Sequence, residues 1–235
     1  MPNNLVLVEG ADDKWFFTAL LKKLQWAVEV YPPAESDCGV DGNGIDNLLE
    51  SLPILLKQLS TRQREHLAIV IDADSTINNF GFEARRNQIK AIIESFGYQV
   101  PDQTPKQYQG EIFSHIRGFA PIGLWIMPNH SSNGMFEDFL LPCIKQPERK
   151  EILGIIDNSL NELKNRQALT TIRFSDTHES KVKLSTWLDW QKKPNSCRML
   201  SPACALKEGW IDAEHPNITA IIQWLQKVFQ EYART

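Results

Sequence analysis

HLAIVIDADS, residues 66–75, decides the fold. Leu67 to Ile71 is an unbroken apolar run, and it stops abruptly on Asp72 and Asp74. A short run of this kind, with no polar alternation, is the mark of a strand buried on both faces. Strands buried on both faces belong to parallel sheets covered by helices.

Working outward, the neighbouring segments repeat the theme. NLVLVE (residues 4–9) predicts another short buried strand, and DDKWFFTALLKKLQW (12–26) an amphipathic helix. AVEVYPP (27–33) alternates and halts at a double proline, as a strand does. CGVDGNG (38–44) is turn-rich. IDNLLESLPILLKQL (45–59) follows as a helix in which Pro53 predicts a kink or restart. FEARRNQIKAIIESFGY (82–98) is a helix closing on Gly97. The order is β-α-β-α-β-α, which implies a mainly parallel sheet with helices on both faces.

Downstream the pattern loosens. Residues 99–112 are polar and proline-containing and read as an exposed excursion. IGLWIMP (122–128) predicts a further buried strand. GMFEDFLLPCI (134–144) predicts a short helix, and PERKEILGIIDNSLNELKN (147–165) a longer one. THESKVKLSTWLDWQ (177–191) and NITAIIQWLQKVFQEYA (217–233) add two amphipathic helices. Residues 1–145 thus form an α/β core, and 146–235 a helical part packed on it as one compact unit. Trp187, Trp190, Trp210 and Trp224 flank apolar residues and are expected in the core.

Composition is that of an ordinary globular chain: 235 residues, 42% hydrophobic and 23% charged. No apolar stretch reaches the ~20 residues that span a bilayer. The N-terminus lacks a signal-peptide pattern, so a cytoplasmic location is expected. Cys38, Cys143, Cys197 and Cys204 are scattered with no C-x-x-C pair, which argues against a disulfide framework or zinc ribbon. The net charge of −4 argues against broad, charge-driven coating of nucleic acid.

Ligands of open parallel sheets bind beyond the carboxyl ends of the strands. The first strand ends on Glu9, with Asp13 four residues on. The third ends on Asp72 and Asp74, and the last leads through PNHSSNG to Glu137 and Asp138. Three separate segments bring carboxylates to one edge, and such a cluster needs a cation. Mg²⁺ (or Mn²⁺) suits hard oxygen ligands. Residues i and i+2 of a strand point the same way, so Asp72 and Asp74 are expected to face one ion. Plain readings stand beside this one. Asp12, Asp13, Glu137 and Asp138 begin helices, where acids meet the helix dipole in any protein. DGNGID, with Gly42 and Gly44, reads first as a tight turn, although free N–H groups there can hold a phosphate. His130 lies in the loop before Glu137, and Arg85 just after the D-x-D strand; each has an ordinary explanation as well as a substrate-binding one.

LVLVEG (Glu9, Gly10) followed two strands later by IVIDADS (Asp72, Asp74, Ser75) resembles the Toprim domain of topoisomerases, primases and OLD-family nucleases. The resemblance implies a Toprim-like, Rossmann-like fold and Mg²⁺-dependent phosphodiester chemistry on DNA or RNA. The closer likeness is to the OLD branch and to small stand-alone Toprim-related proteins. That branch implies further acids at Asp13 and Glu137 and a basic residue matched by Lys181; Glu9 and Lys181 are then the catalytic candidates, the lysine neutralising charge on the phosphate or leaving group. OLD nucleases also carry an ATPase, and this chain has no G-x-x-x-x-G-K-[ST] motif. An ATPase partner would be a separate polypeptide, which leaves open a non-autonomous subunit, for instance in phage defence. A metal-dependent phosphatase or nucleotide-binding protein is a third reading.

Overall fold

The computed structural model describes residues 4–33, 44–75, 80–100, 106–165, 176–191 and 200–229. Strand β1 (Asn4–Val8) leads into helix α1 (Ala11–Lys23), then β2 (Val28–Tyr31). Helix α2 (Gly44–Ser60), β3 (His66–Asp72) and α3 (Phe82–Ser95) follow. Next come β4 (Tyr98–Gln99), β5 (Glu111–His115) and β6 (Ile122–Met127). The remainder is helical: α4 (Phe136–Leu140), α5 (Pro147–Asn165), α6 (Glu179–Trp190), α7 (Pro202–Lys207) and α8 (Pro216–Phe229).

The six strands form one sheet in the order β2-β1-β3-β6-β5-β4. The first four of these are mutually parallel, while β5 runs antiparallel to β6 and β4 antiparallel to β5. Alternation along each strand divides the core between two faces. Val6, Val8, Ala68, Val70, Trp125 and Met127 pack on α1 together with the C-terminal helices. Leu5, Leu7, Leu67, Ile69, Ile71 and Leu124 pack on α2 and α3. The chain is therefore α/β with a mostly parallel sheet covered on both sides, as the apolar runs require. Among the described residues no helix is long and apolar enough to cross a membrane.

Three expectations are corrected. The excursion at 99–112 contains the start of β5, and Gln99 belongs to β4. The two inward positions at the start of β5 are Glu111 and Phe113, and a buried glutamate disguises the alternation that would have revealed a strand. Helix α2 runs as one element through Pro53. Trp187 and Trp224 are core residues, but Trp190 is 53% exposed. Helix α7 is only six residues long, too short for a periodic signal; Ser201 caps it by accepting the Cys204 N–H at 3.4 Å.

Candidate functional site

β1 and β3 are neighbours in register, with Val8 opposite Val70, so both strands open into loops at the same edge. Glu9 follows β1 and Asp72 closes β3. The Asp72 N–H donates to Glu9 Oε2 at 3.3 Å. Asp72 Oδ1 in turn accepts the Phe136 N–H at 2.8 Å, which fixes the start of α4 against the end of β3. Glu137, the next residue, is 92% withdrawn from solvent, with a relative exposure of 8%. Asp13 sits in the first turn of α1, where its Oδ2 accepts the Gly10 N–H at 3.1 Å.

These acids crowd one another. Burial, and after it the Asp74 carboxylate, pushes Glu9 up to about 7 against the opposing pull of the Asp72 N–H, Arg85 and Lys181. Burial followed by Glu9 and Glu137 pushes Asp13 up to about 7. Asp72 lies well above its ordinary value, by burial first and then by Asp13, Glu9, Glu137 and Asp74. Burial also raises Glu137, while Lys181 opposes it. The five acids anticipated from strand and helix ends thus form one interacting group.

Asp74 joins this group differently from the expected manner. Its φ of 61° is left-handed, so the alternation of β3 does not continue through it. Its backbone instead pairs with Gly134, at 2.9 Å and 3.1 Å, and its carboxylate forms an ion pair with Arg85. Arg85 is buried at 3% exposure, its Nη1 donating to Gln88 at 3.2 Å. Arg85 therefore orients Asp74 and is not a free surface arginine. Ser75 is half-buried beside it.

Lys181 lies in the first turn of α6, exposed, with its charge acting on Glu9 and Glu137. The neighbouring Ser180 hydroxyl bonds to Asp138, whose Oδ2 also accepts the Met135 N–H at 2.8 Å. That pair docks α6 on α4 and brings the lysine to the acids. A Cβ on Gly44 would stand 2.7 Å from the Glu9 carbonyl oxygen, so the N-terminus of α2 abuts Glu9 directly. Gly42 lies outside the described residues. Gly10 has φ −135°, an extended conformation open to any residue. Its value is smallness instead, since a Cβ there would meet Asp13 Oδ2 at 3.2 Å.

The His130 side chain contacts Ile126 and Glu111 and not the acid cluster. It is fully buried, with Nδ1 accepting the Ile126 N–H at 3.0 Å. Nε2 therefore carries the proton and faces Glu111 Oε2 at 3.3 Å. Glu111 is also gripped by Arg86, at 2.8 Å from Nε and 2.6 Å from Nη2. Sequence reasoning missed this buried triad, because its members come from α3, β5 and the loop after β6. It also missed Gly134 (φ 139°), the partner of Asp74.

Among the described residues no group of three or more His, Cys, Asp or Glu side chains is arranged to hold a metal ion. Asp13, Asp72 and Asp74 each commit one oxygen to Gly10, Phe136 or Arg85. The donor set itself, carboxylate oxygens crowded enough to retain protons near neutrality, is chemically suited to a hard divalent cation.

The chain belongs to the family described as "Protein of unknown function (DUF3226)", whose model matches residues 3–230. It matches no curated protein and no solved structure.

Proposed function

We propose that the chain is a Toprim-like, Mg²⁺-dependent nuclease or related phosphodiester-transfer enzyme. The observation that carries this reading is the contact between Glu9 and Asp72 across adjacent parallel strands, with Asp13 and Glu137 close enough to raise Asp72, and Asp74 close enough to raise both acids. Glu9, Asp72, Asp13 and Glu137 are the residues that would hold Mg²⁺ or Mn²⁺, with Asp74 beside them. Such an ion, when bound, lowers the pKa of water and stabilises charge on phosphoryl oxygens.

The chain's own groups have separable duties. Glu9, at about 7, matches the pKa of a general base working near neutral pH. Lys181 supplies positive charge on the solvent side, where a phosphate would arrive. The N-terminus of α2, held against Glu9 at Gly44, offers N–H groups to the same phosphate. Arg85 holds Asp74 in place and keeps a positive charge beneath the acids.

The purified chain with Mg²⁺ or Mn²⁺ is expected to cleave at least one of single-stranded DNA, RNA or supercoiled plasmid. Glu9→Gln and Asp72→Asn should each lower the rate by about 10²–10⁴-fold. Intact substrates throughout, or cleavage unchanged by both substitutions, would refute the reading. The net charge of −4 favours a version in which the chain acts with a separate ATPase subunit. In that case cleavage appears only when the co-purifying ATPase and ATP are added.

A further inference from the structure

A second concave surface opens at the same end of the sheet. It is a groove of about 530 Å³ between the segment leading into β5 and the outer face of α8. Its walls carry Gln107, Gln109, Gln223 and Lys227, and its described lining includes no aspartate or glutamate. That is notable in a chain of net charge −4. The floor is rigid: the Trp224 indole N–H donates to the Glu111 carbonyl at 3.1 Å. A Cβ on Gly110 would meet that indole at 2.6 Å, so the backbone lies flat on the ring.

Tyr108 stands at the mouth. It is 38% exposed and held at φ 60°, the left-handed region that a tyrosine rarely adopts. Its N–H donates to the Asn129 carbonyl at 2.8 Å. Asn129 Oδ1 organises the following loop through Ser131 and Ser132, at 2.9–3.1 Å. That loop ends on Gly134, the backbone partner of Asp74. The groove and the acid cluster thus share one loop. β5 lies two strands from β3, about 10 Å across the sheet. Near Asp74, Phe80 is 37% exposed with the Arg85 guanidinium 4.2 Å from its ring centroid.

We infer that this groove binds a single strand of nucleic acid and leads it to the carboxylates; the inference rests on the nuclease reading above. An exposed aromatic at a groove mouth stacks an unpaired base, whatever its identity. Glutamine amides donate to and accept from base edges, and one lysine neutralises one phosphate. A duplex keeps its bases stacked inside and has nothing to offer Tyr108.

The test is fluorescence anisotropy in EDTA, which separates binding from cleavage. The probes are labelled oligothymidine, labelled oligouridine and a hairpin duplex of equal length. Wild-type protein is expected to prefer the single strands over the duplex. Tyr108→Ala should weaken single-strand binding about 5-fold or more. Lys227→Ala should lower the slope of log affinity against log salt by about 0.7. Lys227→Arg should restore it. Lys227 and Gln223 are exposed on α8, so variants there keep the test valid if Tyr108→Ala fails to fold. Absence of strand binding, equal duplex affinity, or variants that bind as wild type would each overturn the inference. Strand binding weakened by these variants, without cleavage in Mg²⁺, would sink the proposed nuclease and leave the groove standing. Cleavage with unaltered binding in the variants would do the reverse.

Discussion

Asp13 does two jobs at once. It caps α1 through Gly10, as many first-turn acids do, and it adds charge to a group already short of solvent. Glu9 and Asp13 sit at about 7, against ordinary values of 4.5 and 3.8. With the native values raised, the folded chain holds protons that the unfolded chain releases. Their contribution to stability is present at acid pH and is lost as pH rises through about 7. In EDTA, the melting temperature should therefore fall between pH 5 and pH 8. Asp13→Asn keeps a carbonyl oxygen for the Gly10 N–H and removes the charge, so it should flatten that fall. A variant whose melting curve tracks wild type over this range would contradict the crowding. Glu111 runs the opposite way. Burial alone would raise it, but hydrogen bonds from Arg86 and His130 outweigh burial and hold it at about 2. Its contribution is present above about 4.5 and is lost as pH falls towards 2. Glu111→Gln leaves Arg86 buried without its partner and should cost about 3–5 kcal/mol at pH 7. In urea titrations that gap should narrow at pH 2–3; a constant gap would exclude the ion pair as its cause. Glu9 and Asp72 were legible because apolar runs end on them, and Glu137 as an acid in the first turn of a helix that follows the last strand. The Asp74–Arg85 and Glu111–Arg86 pairs were not, since a partner 11 or 25 positions away leaves no periodic trace.

At the scale of elements, two glycines make a matched pair. Gly44→Ala would drive a methyl group to 2.7 Å from a backbone oxygen of Glu9, an atom that cannot swing aside. The expected cost is about 1–3 kcal/mol in stability, with a disproportionate loss of cleavage because Glu9 moves. Gly154, inside α5, has nothing within 4 Å of an added Cβ. Gly154→Ala should raise stability by about 0.5–1 kcal/mol and leave cleavage untouched. Equal stability changes in the two variants, read by thermal unfolding, would dismiss the close approach at Gly44. The long helices were readable because amphipathic periodicity accumulates over several turns. β4, with two residues, and α7, with six, are too short for any period. The N-terminus of α6 was readable as a helix, but its placement over the acids depends on Ser180 meeting Asp138, a tertiary contact with no local signature.

For the molecule as a whole, the C-terminal helices cover a face of the central sheet. Trp187, Leu206, Ile221 and Leu225 share one core with Val6, Val8 and Trp125. Backbone ties reinforce this: Lys145 N–H donates to the Trp210 carbonyl and Asp212 N–H to the Cys143 carbonyl, both at 2.7 Å. A chain ending at residue 145 should fail to fold and be degraded rapidly in limited proteolysis. A stable, monomeric fragment with native circular dichroism would disprove the single core. The continuous apolar runs of β1, β3 and β6 predicted a doubly covered sheet, but not which helices lie on which side. That choice emerges only from the alternation of Leu5 and Leu7 against Val6 and Val8 in three dimensions.

The pairing of β1 with β3, and of β3 with β6, also sets a clock. Glu9 meets Asp72 from 63 positions away, and Asp72 meets Phe136 from 64. Contacts so distant along the chain form late, after long loops have closed, and parallel pairings are slow for this reason. The acids therefore come together only when the sheet does, and a partly folded chain carries no cluster. In stopped-flow refolding, Mn²⁺ binding at the proposed site should arise in the same slow phase as the burial of Trp125 at the sheet centre, and not in any faster one.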